Sequence, residues 1–103
     1  MAMQAVLYAP QQTPQTVSID GMALPDPATG LVRVPEQVPR LLDCAPTLVD
    51  VLASAPNYIV YAVFDHDGQV NHAAMEALTK LTGASFGENE DSILRGAVLI
   101  IQA

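Results

Sequence analysis

The heptapeptide YIVYAVF at residues 58–64 decides how this chain folds. Its side chains are β-branched, aromatic or small, and almost none of them is polar. The pattern therefore predicts a central strand that is covered on both faces of a sheet. The segment AVLII at residues 97–101 has the same character and predicts another buried strand.

A helix is predicted between these two strands. Asn71 is a residue type that caps the amino end of helices, and Gly83 supplies a stop. Between them, apolar residues recur at three- and four-residue spacing and indicate one buried helix face, made of Ala74, Ala77, Leu78 and Leu81. The order strand, helix, strand predicts a βαβ-like or split α+β unit in the carboxy-terminal half.

The first half of the chain shows short extended segments followed by helices. Turn signals at residues 20–21 and 25–30 separate three predicted strands, at residues 4–8, 16–20 and 31–34. Pro35 is acceptable in the first turn of a helix that we expect to end near Cys44. Pro46 is expected to open a second helix, which stops at residues 55–57 and buries Leu48, Val49, Val51 and Leu52.

Residues 1–15 are predicted to form an extended amino-terminal arm, and residues 16–103 a single α+β domain. The stretch PQQTP at residues 10–14 disfavours a helix, because each proline lacks a donor and restricts the residue before it. The arm has few large apolar residues, so we expect it to become ordered on a partner. There, residues 4–8 would pair with the strand edge of a neighbouring subunit, and the contacts would come from Val6, Leu7 and Tyr8.

Length and composition limit what the chain can be. Its 103 residues, 50% of them apolar, suffice for one hydrophobic core without a disulfide or metal to staple it. The lone cysteine, Cys44, argues against a disulfide framework and a multi-thiolate zinc site. Its expected role is that of a small buried hydrophobe.

The charge balance argues against two classes of partner. Four basic residues oppose eleven acidic ones, for a net charge of −7, so nucleic acid is an unfavourable partner. The longest apolar runs fall far short of the ~20 residues that cross a bilayer, and the amino end lacks a signal-peptide pattern. We therefore expect a protein made in the cytoplasm that does not bind membranes.

The small number of charges is itself informative. Only 15% of the residues are charged, whereas a typical domain has about 25%. Such a chain exposes neutral or apolar surface, and surface of that kind most often contacts other chains. We expect contacts with other proteins, a homo-oligomer among them.

The densest polar cluster is Asp65, His66, Asp67 and His72. Counted from Asp65, oxygen-bearing residues fall at several positions of a calcium loop, but the position that requires glycine is Val70, and a strand, not a helix, precedes it. The two histidines with a carboxylate have the ligand types of a transition-metal site, but their spacing implies no fixed geometry. We interpret the cluster as a solvated turn and expect no bound metal or cofactor.

Catalytic motifs are not recognisable in the sequence. It has neither a glycine-rich phosphate loop nor a nucleophile elbow, and Cys44 has only Arg40 nearby to stabilise a thiolate. A catalytic pair of one histidine base and one serine remains an open alternative. The spacing favours no particular pair among His66, His72, Ser85 and Ser92. We expect no catalytic residues and no enzymatic activity.

Residues 16–44 combine a short strand, an Asp-Gly turn, a Gly-x-Val-x-Val-Pro strand and a helix that closes on a Leu-Leu pair. This pattern resembles short proteins of the head modules of tailed bacteriophages. The residues that carry it are Gly30, Val32, Val34, Pro35, Leu41 and Leu42. The resemblance implies a structural protein of the virion, with decoration or cementing of the capsid, by binding the major capsid protein or neighbouring virion subunits, as the expected role.

A second pattern covers residues 63–70, Asn71 and the helix that ends at Gly83. It is similar to the opening of a PAS sensory domain, with a strand, an Asp-Gly turn and a capped helix. This resemblance implies the alternative function, a small ligand-sensing or regulatory module of bacterial origin. An enclosed pocket lined by residues 58–64 and 97–101 would favour it.

Overall fold

A computed structural model describes residues 3–22, 24–26, 28–32, 34–63, 68–83 and 93–103 of the chain. Strands and α-helices alternate irregularly along these residues. In chain order they are β1 (Gln4–Tyr8), β2 (Gln15–Val17), α1 (Gln37–Leu42), β3 (Val49–Ala55), β4 (Tyr58–Val63), α2 (His72–Thr82) and β5 (Val98–Gln102). A short 3-10 helix, Pro46–Leu48, leads directly into β3.

The strands form one five-stranded sheet in the order β2-β1-β5-β4-β3. All four neighbouring pairs are antiparallel. The domain is therefore α+β, as predicted. The last strand of the chain, β5, is the central one, and β4 lies beside it in the interior of the sheet.

Each face of the sheet supports its own hydrophobic core, because successive side chains of a strand point to opposite faces. Ile59 and Tyr61 of β4 belong to the core on the α1 side, together with Leu99 and Ile101 of β5. The alternate residues belong to the core on the α2 side: Val60, Ala62, Val98 and Ile100. The strand prediction for residues 58–64 is confirmed for residues 58–63, and Phe64 lies outside the described residues.

The core on the α1 side is closed by one helix and by the irregular chain that precedes it. Val38 and Leu42 of α1 are buried there with Met22. The amide of Gln37 donates a hydrogen bond to the carbonyl oxygen of Asp20 and so ties α1 to the turn at residues 20–21. The helix ends at Asp43, whose φ of 55° lies in the left-handed region.

Asn71 fixes the start of α2, as its residue type predicts. Its side-chain oxygen accepts a hydrogen bond from the backbone N–H of Ala74 at 3.2 Å. Its amide nitrogen donates to the carbonyl oxygens of Tyr8 at 2.9 Å and Gly96 at 2.8 Å. The helix ends where predicted, at Gly83, which has a φ of 77°. Within the described ranges, neither α-helix has the length and hydropathy of a membrane span.

The carboxy-terminal half is not a βαβ-like unit, because β4 and β5 pair directly and antiparallel. The chain returns to the start of α2 before it enters β5, since the N–H of Asn71 donates to the carbonyl oxygen of Leu94 at 2.8 Å. Val70 also forms an isolated antiparallel bridge with Arg95. As a result, β5 begins at the end of the sheet where β4 finishes, and the two strands must run in opposite directions.

The helix predicted from Pro46 is wrong beyond its first turn. After the 3-10 turn, residues 49–55 form β3, in which half-buried and exposed residues alternate. The spacing of Leu48, Val49, Val51 and Leu52 also fits a helix face, because short apolar runs do not distinguish the two periods. The β-branched residues Val49 and Val51 favour a strand, and the hydrogen bonds to β4 stabilise it. Residues 31, 32 and 34 are irregular, so the strand predicted at residues 31–34 is also corrected.

The prediction of an extended amino-terminal arm is wrong for residues 4–8, which belong to the sheet. These residues form β1, which pairs with β2 on one side and with β5 on the other. The prediction underestimated how much apolar surface this segment can bury, because it considered only the apolar residues within the arm. Ala5 is fully buried, and Leu7 contributes to the same core, because β4 and β5 supply the apolar surface against which they pack.

We expect deletion of residues 1–15 to abolish cooperative unfolding of the domain. The deletion removes β1, which leaves an edge of the central strand β5 unpaired and β2 without its partner. Thermal unfolding followed by circular dichroism measures the effect. Gln12→Ala, in the exposed turn between β1 and β2, is the control and should leave the midpoint unchanged. A truncated chain that unfolds like the full one would contradict the position of β1.

Asn71→Ala should destabilise the domain by about 2–4 kcal/mol, because it removes a helix cap and the side-chain hydrogen bonds to two partly buried carbonyl oxygens. Asn71→Ser retains a capping oxygen and should lose less. His72→Ala, at the exposed neighbouring position, should have little effect. Urea unfolding of the variants gives the three values, and an equal loss at positions 71 and 72 would contradict this role of Asn71.

Candidate interaction surface

The predicted partner-binding residues Val6, Leu7 and Tyr8 lie in β1, in the interior of the sheet. Leu7 and Tyr8 pack against the cores on opposite faces of the sheet. Both edges of β1 already carry strands of the same chain, so these residues cannot pair through their backbones with a neighbouring subunit. Val6 and Tyr8 retain some exposure, where they line a groove beside α2.

The predicted polar cluster lies mostly outside the described residues, which omit Asp65, His66 and Asp67. His72 is described and is the exposed first residue of α2. Ser85 and Ser92 also lie outside the described residues. In the part of the chain that the structure describes, no group of three or more His, Cys, Asp or Glu side chains is placed to hold a metal ion.

An apolar concavity lies beside α1. We name it the proline groove. It has a volume of about 560 Å³ and is lined by Val34, Pro35, Glu36, Pro39, Arg40, Cys44 and Pro46. The three proline rings and Val34 give it an apolar wall. Arg40 of α1 contributes one positive group, and Glu36, directly before α1, contributes one negative group.

The turn after α1 produces the groove. Asp43 adopts a left-handed conformation, and the N–H of Cys44 donates to the carbonyl oxygen of Pro39 at 3.0 Å. This reversal carries the chain back along the helix, so Pro46 lies near the residues at the start of α1. Prolines restrict the backbone torsion φ, which limits the conformations that the wall of the groove can adopt.

Cys44 is half-buried in this groove and packs against the core on the α1 side. Burial raises the pKa of its thiol, and the carboxylate of Asp43 raises it further. Both effects disfavour the thiolate, so this cysteine has the properties of the small hydrophobe that the sequence predicted, and not those of a nucleophile.

Exposed apolar side chains extend this surface beyond the groove. Val34 is 47% exposed and Leu48 is 41% exposed. Val34 lines the groove, and Leu48 follows Pro46 by two residues. Sequence reasoning missed this surface because it assigned Val34 to a strand and Leu48 to a buried helix face. The low charge content was the one signal that such a surface exists.

A second groove, which we name the α2 groove, lies between α2 and the sheet. Its volume is about 350 Å³, and it is open to solvent. Val6 and Ile100, which are paired across β1 and β5, form its apolar floor. Its other lining residues are Tyr8, Ala77, Lys80, Leu81 and Gln102. Burial raises the pKa of the Tyr8 phenol, so this group stays protonated near neutral pH.

No family model, curated protein or solved structure matches the chain, so the comparisons with known proteins assign no function to these surfaces. The function has to follow from the residues of the chain and their arrangement.

Cys44 should react slowly with thiol reagents at pH 8, because a raised pKa leaves less thiolate at that pH than an ordinary cysteine has. The rate should increase as the pH rises toward and above the raised pKa. Asp43→Asn removes the second cause of the shift and tolerates the left-handed backbone. It should therefore accelerate the reaction. Rates against pH measure this, with the urea-unfolded protein as reference, and a native rate that equals the unfolded one would contradict it.

Proposed function

We propose that this protein is a structural protein of a tailed-bacteriophage virion, most specifically a decoration or cement protein that binds the major capsid protein or neighbouring virion subunits. The observation that carries the proposal is the proline groove with its exposed apolar flank. The resemblance of the sequence pattern at residues 16–44 to head-module proteins supports it as well, although residues 31, 32 and 34 of that pattern are irregular and do not form a strand. It is proposed as a binding protein without enzymatic activity.

The proline groove suits a protein partner better than a charged or extended ligand. Its wall is apolar and stiff, so a partner's apolar side chain would lose water contact there without ordering much of the groove. Apolar area buried in this way contributes about 25 cal/mol per Å² before the costs of association. The single Arg40 and the single Glu36 on the rim would orient a partner without demanding a highly charged one.

The composition of the chain supports the same proposal. A net charge of −7 with four basic residues disfavours nucleic acid, so the groove has no role in packaging DNA in this proposal. A small acidic domain with neutral surface can bind the other proteins of a shell, while its negative charge disfavours binding to the DNA of the particle. The partner is therefore another protein of the particle.

Val34→Asp tests the proposal. It places a carboxylate in the apolar wall of the groove at a side chain that is 47% exposed, so the fold should tolerate it. We expect the variant to bind shells assembled from the major capsid protein of the same particle at least about tenfold more weakly, which corresponds to about 1.4 kcal/mol. Co-sedimentation with purified shells measures the binding.

Ile19→Asp is the matched control, because Ile19 is exposed and does not line the groove. It should bind shells like the unchanged protein. Thermal midpoints of both variants should equal that of the unchanged protein. An unchanged protein that does not bind shells or other virion proteins of the same particle at high micromolar concentration would contradict the proposed function.

The alternative function, a PAS-like ligand-sensing or regulatory module, is favoured by the α2 groove. That groove meets the central strand β5 at Ile100 and Gln102, and the polar groups of Tyr8 and Lys80 border an apolar floor. It is open, however, and is therefore not the enclosed pocket that would favour this function. A small molecule that raises the thermal midpoint, and loses this effect in Ile100→Ala, would support the alternative.

A further inference from the structure

The α2 groove exists because α2 covers only part of its face of the sheet. The buried residues of the helix, among them Ala74 and Leu78, pack on the core that β4 and β5 form on this side. β1 lies beyond β5, and Val6 in its middle is half-buried and belongs to neither core. The side of α2 that faces this uncovered strip has the small residue Ala77. A concavity with an apolar floor therefore remains beside the helix.

The α2 groove carries one charge, and it is positive. Lys80 is the one charged residue among the described lining residues, in a chain with eleven acidic and four basic residues. The proline groove differs, because Glu36 lines it together with Arg40. The charge of the α2 groove therefore favours a negatively charged ligand, which the rest of this acidic protein does not.

Two neutral polar side chains accompany Lys80 in the groove. They are the phenol of Tyr8 and the amide of Gln102, and both groups are able to donate a hydrogen bond. Because burial raises the pKa of Tyr8, the phenol retains the proton that it would donate. One cation and two neutral donors match a ligand with a single negative charge, whereas a doubly charged phosphate would need more cations.

The ammonium of Lys80 is available to such a ligand. Its ion-pair partner is Glu76, one turn earlier on α2, with 3.6 Å between Nζ and Oε1. The two side chains are 77% and 71% exposed, and exposed pairs at this spacing are weak. Glu76 does not line the groove. A bound anion would therefore compete with Glu76 for Lys80 at little cost in free energy.

We propose that the α2 groove binds a small monocarboxylate with an apolar body, such as a medium-chain fatty acid. The carboxylate would contact Lys80 and accept hydrogen bonds from Tyr8 and Gln102, while the apolar body would cover Val6 and Ile100. The volume of about 350 Å³ lies at the lower end of the range of ligand sites, which favours a small ligand. This inference does not rest on the proposed binding to a shell.

Titration with octanoate tests the proposal, with the backbone amide signals followed by NMR. Saturable shifts should appear at residues of β1, β5 and α2 that border the groove, and not in α1. Octan-1-ol, which has the same chain without the charge, should bind about fivefold more weakly, since one opposite charge at contact contributes about that factor in water. Acetate, which lacks the apolar body, should not bind measurably.

Three charge variants separate this site from a general attraction of anions. Lys80→Gln should weaken octanoate binding about fivefold and leave octan-1-ol binding unchanged. Glu76→Gln should strengthen octanoate binding, because it removes the carboxylate that competes for Lys80. Arg40→Gln, which removes the cation of the proline groove, is the matched control and should have no effect. A merely structural ion pair would instead lose the same stability in the first two variants, with no change in binding.

Equal affinity for octanoate and octan-1-ol would overturn the inference, as would octanoate binding that Lys80→Gln leaves unchanged. Shifts that map to α1 would overturn it as well. Lys80→Gln should still bind shells like the unchanged protein, because Lys80 does not line the proline groove. A chain that binds shells but not octanoate would therefore contradict this inference alone, and a chain that binds octanoate but no shells would contradict only the proposed function.

Discussion

The hydrogen bonds of the buried Asn71 side chain are the interaction on which the rest of the structure depends. Asn71 is 1% exposed, and its amide joins the end of β1, the start of β5 and the first turn of α2. Because β5 is the central strand, this one side chain links the amino-terminal and carboxy-terminal parts of the sheet to the helix that covers one face. A polar group so deeply buried is stable only because each of its hydrogen-bonding atoms has a partner.

The same constraint explains why one small domain supports two cores. Once β5 is fixed between β1 and β4, its alternate side chains must face opposite sides, and each side needs an apolar cover. On one side the cover is α2, and on the other it is α1 with the irregular chain before it. α1 is a helix of six residues, and its neighbouring prolines complete a cover that also presents apolar surface outward.

The proposed contact with other proteins uses the apolar surface that α1 and its neighbouring prolines present to solvent. α1 has six residues, and the prolines beside it both complete the cover of this face and line the proline groove.

The sequence by itself determined the local elements whose signals lie within a few residues. Asn71 and Gly83 define α2, and the continuous apolar runs define β4 and β5. Only the tertiary structure decided the rest. Residues 4–8 become an interior strand, and residues 49–55 a strand instead of a helix, because β5 and β4 supply the pairing partners, which no local pattern records. The proline groove likewise depends on a left-handed turn at Asp43 that brings together residues from both ends of α1.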